Sequence, residues 1–283
     1  MKKNLYKFFK ESKNFSTKWK GYFPIYEEIF KKYINKNITF VEVGVANGGS
    51  LFMWKKFFGK KSRIIGIDLN PDVKKFEKEG FEIFIGDQQC KYFWIDFYKK
   101  VGNIDVILDD GGHKNLQQIS TIAYSLPYIK NNGMIVIEDT MTSYIKKSFG
   151  NPSVYSFINF IYKICDSIHR RNPMLKNLEN IYSKKVFSIK FFESIVVLDI
   201  DKRKCKINKL IFNSKNFLPF TDYRHKGNNI KVINFLKKIK ILNLFISIEK
   251  LGKIIGNRNI FFYLADKVKL LRLFNNVGKN DFK

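Results

Sequence analysis

Apolar positions in the first two thirds of the chain gather into short β-branched runs that carry an acid at or near their carboxyl end. ITFVEV (38–43), RIIGID (63–68), EIFIGD (82–87), DVILDD (105–110) and MIVIED (134–139) are five such runs. The stretches between them, SLFMWKKFF, CKYFWIDFYKK and NLQQISTIAYSLPYI, repeat apolar residues at helical spacing. Strands alternating with helices predict βαβ units and a parallel sheet. Gly80, Gly102 and Gly133 punctuate the turns into the following strands. An open parallel sheet holds its ligand outside the carboxyl ends of its strands, where these acids collect.

The pattern changes after the fifth run. SVYSFINFIYKICDSIHRR places Val154, Phe157, Ile158, Ile161, Cys165 and Ile168 on one helical face, expected to pack over the crevice. FSIKFF and SIVVLDI are separated at Glu193 by too few residues for a crossover, so they pair as an antiparallel hairpin. Five parallel strands plus a hairpin, with helices on both faces, is the Rossmann-like layout of the class I S-adenosylmethionine methyltransferases. The expected division is an N-terminal helical segment (1–36), an α/β cofactor-binding domain (37–202) with a helical cap at 145–184, and a basic, mostly helical C-terminal extension (203–283).

That extension contains NIKVINFLKKIKILNLFISIEKLGKII (229–255), where lysines interrupt the apolar stretch too often for a membrane span. Two readings stay open for it: a helix packed on the domain or on a second subunit, and a basic amphipathic helix lying on a bilayer surface. The formal net charge of +27 raises the possibility of nucleic-acid binding. Lysine, asparagine, isoleucine and phenylalanine are abundant together along the whole chain, however, and no single basic block forms, so no nucleic-acid partner is expected. A small acidic substrate is drawn to the same field. The 283 residues include three cysteines, Cys90, Cys165 and Cys205, with no C-x-x-C pair. With no export signal in the N-terminal stretch, this is the pattern of a reduced, cytoplasmic chain.

VEVGVANGGS (41–50) stands where the first strand turns into the first helix. Its glycines let the backbone approach a ligand, and Ala46 takes the place of the second glycine of a dinucleotide fingerprint. Glu42 is suited to receive a methionine ammonium or to hydrogen-bond nearby amides, and Gly44 and Ser50 are counted with it as cofactor contacts. Asp68, ending the second strand, is placed to accept from ribose hydroxyls. Asp87 and Gln88, ending the third, can receive an adenine amino group. Asp109 is expected on the cofactor side. Taken alone, ILDDGGHKN (107–115) reads equally as strand-end turn chemistry with His113 capping a helix.

The segments VEVGVANGGSLFMW, GIDLNP, DVILDDGGHKN and VIEDTMTSY resemble the sugar O-methyltransferases of the macrolide mycinose and tetracenomycin rhamnose type, over about residues 38 to 200. Similar enzymes act on capsular heptose in bacterial surface-polysaccharide clusters. The resemblance implies S-adenosylmethionine as methyl donor and a magnesium ion bound by Asp110, Glu138 and Asp139, with His113 as the base that deprotonates a sugar hydroxyl beside Asp110. Glu138 and Asp139 would face opposite ways in a regular strand, so the chain must turn between them. Tyr144 is expected to line the acceptor pocket. Arg170 and Arg171 either grip a substrate diphosphate or simply end a solvated helix.

The function implied is methylation of a sugar hydroxyl, on a nucleotide-activated sugar such as a GDP-heptose. Methylation of another hydroxylated small molecule, or a nucleic-acid or membrane-surface module built on the same scaffold, stays open. A homo-oligomer and contact with the inner face of the membrane through the extension complete the expectations.

Overall fold

A computed structural model describes residues 4–145, 154–175 and 180–213. Seven strands form one sheet in the order β3-β2-β1-β4-β5-β7-β6. They are β1 (Thr39–Val43), β2 (Arg63–Asp68), β3 (Glu82–Ile85), β4 (Ile104–Asp109), β5 (Ile129–Ile137), β6 (Val186–Phe192) and β7 (Ile195–Ile200). The first five are parallel, and β7 runs antiparallel between β5 and β6. The expected hairpin is therefore present, its second strand inserted beside β5. β5 begins at Ile129, ahead of Gly133, and a register shift between Ile104 and Val106 absorbs the difference. Gly133 thus lies inside the strand and does not mark the turn into it.

Helices cover both faces. On one side lie α1 (Leu5–Lys10), α2 (Tyr22–Phe30) and α3 (Gly49–Phe58), with a 3-10 helix at Pro71–Glu79. Pro24 falls in the first turn of α2, where a missing amide hydrogen costs nothing. Tyr26, Phe30, Phe40, Trp54 and Phe58 stack into one aromatic cluster here, with centroids from 4.9 to 5.9 Å apart. Each buried ring of this size stabilises the fold by roughly 1.5–3 kcal/mol, so α2 is bound firmly to β1.

The opposite face carries α4 (Lys91–Val101), α5 (Asn115–Ser125) and α6 (Phe157–His169). Ser156 caps α6 by accepting from the Asn159 amide at 3.4 Å. Phe157, Ile158, Ile161 and Ile164 of α6 are buried, whereas Val154 precedes the cap and is exposed. Ile164 takes the core position expected of Cys165, which is half-buried. α6 packs as a layer helix against the sheet and α5, and none of its residues lines the cavities described below. The remainder of the expected cap includes 146–153 and 176–179, outside the described residues.

Strand alternation sorts the acids by face. Phe40, Val106, Leu108 and Val136 belong to the α1–α3 side, and Val41, Ile107 and Ile137 to the α4–α6 side. By the same period of two, Glu42, Asp110 and Glu138 fall on the α1–α3 side and Asp109 on the other. Four acids at neighbouring strand ends are thereby split three to one. Among the described residues no helix is long and apolar enough to cross a membrane. The expected C-terminal helix (229–255) lies outside the described residues.

Candidate active site

Two cavities open at the carboxyl ends of the strands, one on each side of the loop after β4. The first, about 290 Å³, is lined by Gly44, Ala46, Asp68, Asp87, Gln88 and the backbone of Gly111 and Gly112, among others. The second, about 400 Å³, is lined by Thr17, Lys18, Trp19, Tyr22, Asp110, His113, Glu138 and Asp139. The stretch Asp110–His113 is the wall between them.

In the first cavity Asp68 braces the glycine turn. Its Oδ2 accepts from the Val45 and Ala46 amides at 2.8 and 2.9 Å, and its Oδ1 from the Asn70 amide at 2.9 Å. A carboxylate has about four lone-pair sites, so capacity for a further donor remains. Asp87 Oδ1 accepts from the Gln89 amide at 2.8 Å. Gln88 lines the crevice while its amide nitrogen donates to Asp109 Oδ2 at 3.0 Å and to Thr121 Oγ1 at 3.2 Å.

Three expected cofactor contacts serve other purposes. Asp109 is buried on the α5 side, held by Gln88 and the Gly111 amide, and burial pushes its carboxyl above the ordinary value despite the Thr121, Gly111 and Gln88 contacts. It holds the loop and does not face the crevice. Glu42 is fully buried on the opposite side, accepting from Trp54 Nε1 at 2.9 Å and from Ser50 Oγ at 2.7 Å. Burial pushes the Glu42 carboxyl up to about 7 even with the Lys18 ammonium nearby. Glu42 and Ser50 thus lie beneath the turn and do not line the crevice, because strand parity aims Glu42 at α3.

The acidic cluster of the second cavity is assembled around a residue that the sequence reading missed. Lys18 Nζ stands 2.6 Å from Asp110 Oδ2, 2.9 and 3.0 Å from the two Glu138 oxygens and 3.9 Å from Glu42 Oε1, with its side chain 1% exposed. Burial alone lowers an ammonium pKa, but the charges of Asp110, Glu138 and Glu42 outweigh it and hold Lys18 above its ordinary value. Burial, together with the Asp110 charge, raises Glu138 well above the carboxylate range despite Lys18 and Tyr26. Tyr26 Oη donates to Glu138 and Tyr22 Oη to Asp139, while the indole of the exposed Trp19 reaches Asp139 Oδ1 at 3.2 Å. No periodicity marked these residues as functional; the one available signal was a lysine and aromatic cluster, KWKGYFPIY, preceding the first strand.

The turn required between Glu138 and Asp139 is made by Asp139 itself, at φ 53° and ψ 37°. His113 also sits in the left-handed region, at φ 56°, a conformation that costs a side-chain-bearing residue roughly 1–2 kcal/mol. It precedes the helix cap, Lys114, and so does not serve as the cap. Its Nε2 is 3.4 Å from Asp139 Oδ2 and 3.9 Å from Asp110 Oδ1, and its Nδ1 is buried with no hydrogen-bond partner among the described residues. Thr142 Oγ1 lies 2.8 Å from both the His113 and Asp139 carbonyl oxygens, tying the two loops together.

These residues suit a divalent ion. Asp110, His113 and Asp139 each offer an atom within 4.8 Å of the others, and a cationic group is already lodged between Asp110 and Glu138. Hard carboxylate oxygens are the donors magnesium prefers. Of the expected ligands Asp110 and Asp139 converge, with His113 beside them, while Glu138 is engaged by Lys18 and Tyr26.

The expected acceptor contacts are not brought to either cavity. Arg171 donates from Nε to the Ile168 carbonyl at 3.1 Å, from Nη1 to Val186 at 3.1 Å and from Nη2 to Phe187 at 3.2 Å. Its guanidinium ties α6 to β6, with three of its five N–H donors spent on main-chain carbonyls. Arg170 is the C-terminal cap of α6, and Tyr144 is exposed; neither lines the two cavities.

The sheet has the strand order of the class I methyltransferase fold, and the glycine turn after β1 and the acid at the end of β2 line one cavity at its carboxyl edge. Within that class the chain is similar to sugar O-methyltransferases. It is 28% identical over 165 residues to the 8-demethyl-8-alpha-L-rhamnosyl tetracenomycin-C 2'-O-methyltransferase of Streptomyces olivaceus, a match covering 54% of this chain and 43% of that protein. It is 32% identical over 128 residues to the mycinamicin VI 2''-O-methyltransferase of Micromonospora griseorubida, covering 43% and 32% respectively. The chain therefore spans less than half the length of these relatives. The solved MycE methyltransferase in complex with Mg, SAH and mycinamycin VI superposes with a TM-score of 0.66 at 22% identity, covering 76% of this chain and 58% of that one. No family model matches the chain.

Proposed function

We propose that this chain is an S-adenosylmethionine-dependent O-methyltransferase that methylates a sugar hydroxyl. The observation that carries the reading is the single loop, Asp110–His113, that walls both cavities: a donor held against Gly111 and Gly112 faces an acceptor held against Asp110 and His113. S-adenosylmethionine supplies the sulfonium methyl. Asp68 orients the ribose, and Asp87 with Gln88 borders the adenine. A divalent ion on Asp110, Glu138 and Asp139 would supply a Lewis acid to the acceptor oxygen.

His113 Nε2 takes the hydroxyl proton, and Asp139 Oδ2 beside it stabilises the charge the ring acquires. The hydroxyl oxygen bonds to the methyl carbon as the carbon–sulfur bond breaks, its electron pair passing to sulfur. Trp19, exposed at the rim and fastened to Asp139, gives the sugar ring an apolar platform. The acceptor we favour carries phosphate, as a nucleotide-activated heptose of a surface polysaccharide does, since the +27 net charge attracts such a group.

The test is incubation with S-adenosylmethionine, Mg²⁺ and a panel of free sugars, glycosides and nucleotide sugars, read by mass spectrometry. A nucleotide sugar should gain one CH2. Gain only on free sugars or glycosides would overturn the nucleotide-sugar acceptor, and gain on no member of the panel would overturn the reading itself.

A further inference from the structure

Lys18 reaches the acidic cluster from a strap, residues 12–21 between α1 and α2, whose Thr17, Lys18 and Trp19 line the second cavity. The strap is seated by Ser12 Oγ donating to the Gly49 carbonyl at 2.6 Å and Asn14 Nδ2 to the Asn47 carbonyl at 3.1 Å. It lies so close that a Cβ on Gly49 would stand 2.4 Å from the Asn14 oxygen and 2.5 Å from that of Phe15. The Lys18 ammonium hangs from this strap, shielded from water, and touches Asp110 and both oxygens of Glu138.

A magnesium ion coordinates oxygen at about 2.0–2.1 Å, so an ion shared by Asp110 Oδ2 and Glu138 would occupy the space where Nζ now stands. Two positive charges cannot share that position, because, with the Lys18 side chain 1% exposed, bulk solvent does not screen their repulsion. We propose that Lys18 is a built-in counter-cation of the metal site: its ammonium and a divalent ion are mutually exclusive occupants of the Asp110–Glu138 position. Loading the ion expels Lys18, frees Glu138 to join Asp110 and Asp139, and loosens the strap from its seat on Asn47 and Gly49. Lys18 is a positioning residue in this scheme; it keeps the three converging acids Glu42, Asp110 and Glu138 compatible with a folded chain before the ion arrives. The inference rests on the metal reading of the preceding section.

The test is Mn²⁺ binding followed by electron paramagnetic resonance on the full chain and on Lys18→Met, which keeps the length of the stem and removes the charge. The variant should bind Mn²⁺ about tenfold more tightly or better; equal or weaker binding overturns the proposal. Should Lys18→Met fail to fold, amide hydrogen exchange in the unaltered chain decides: saturating Mn²⁺ that speeds exchange at residues 12–20 supports expulsion, and unchanged or slower exchange overturns it. Failure of this inference alone would show as tight Mn²⁺ binding that Lys18→Met does not improve. Failure of the metal reading would show as no Mn²⁺ binding by either protein, with methyl transfer undiminished in excess EDTA.

Discussion

A Cβ on Gly44 would stand 2.1 Å from the Asp110 carbonyl oxygen, so the turn after β1 and the loop after β4 touch backbone to backbone. Gly44 also has φ +92°, which a side chain resists. The two loops that border the first cavity are therefore one unit, and residue 44 has no room for a methyl group. Gly44→Ala should destabilise the protein by roughly 2–4 kcal/mol through strain and overpacking, and weaken S-adenosylmethionine binding in parallel. Thermal unfolding with and without the ligand measures both. A variant with unaltered melting temperature would show that the loops separate easily.

Removing the imidazole should separate chemistry from binding. His113→Ala is expected to lower kcat by about 10²- to 10⁴-fold while donor affinity by calorimetry stays unchanged. A rate near that of the unaltered enzyme would exclude His113 as the base.

Glu42 makes the metal-free protein sensitive to pH. Its folded carboxyl is raised from 4.5 to about 7 by burial, so between those values the folded chain binds a proton that the unfolded chain has released. Stability is then greatest below about 4.5 on this account and falls as pH rises to about 7, by roughly 3 kcal/mol. Glu42→Gln should remove this fall, leaving a flatter profile in denaturant titrations performed in EDTA. A profile of unchanged slope would show that Glu42 ionises normally.

Arg171 should matter to stability and not to substrate. Arg171→Ala removes three donors to main-chain carbonyls, and should cost about 1–3 kcal/mol in chemical denaturation. The KM for a phosphate-bearing acceptor should not move. A large rise in KM without loss of stability would restore the diphosphate-gripping role.

Much of this arrangement was legible in the chain. The five acid-bearing runs became the parallel strands, and FSIKFF with SIVVLDI became the hairpin, because alternation and loop length are local properties. Asp68, Asp87, Gln88 and Gly44 do border one cavity, and Asp110, His113, Glu138 and Asp139 another. What misled was reading every strand-end acid as facing the ligand. Asp109 and Asp110 are neighbours in sequence, yet the pleat sends them to opposite faces, one to Gln88 and the other to Lys18.

The sequence by itself determined the sheet, its crevice and the parity of the acids, since each follows from interactions within a few residues. Only the tertiary structure decided what stands opposite those acids. Lys18 meets Asp110 and Glu138 across 92 and 120 residues, and no period or motif encodes such a meeting. It follows from the aromatic packing of α2 on β1 and the seating of the strap against Gly49, which together bring one ammonium to the place where Glu42, Asp110 and Glu138 need a positive charge.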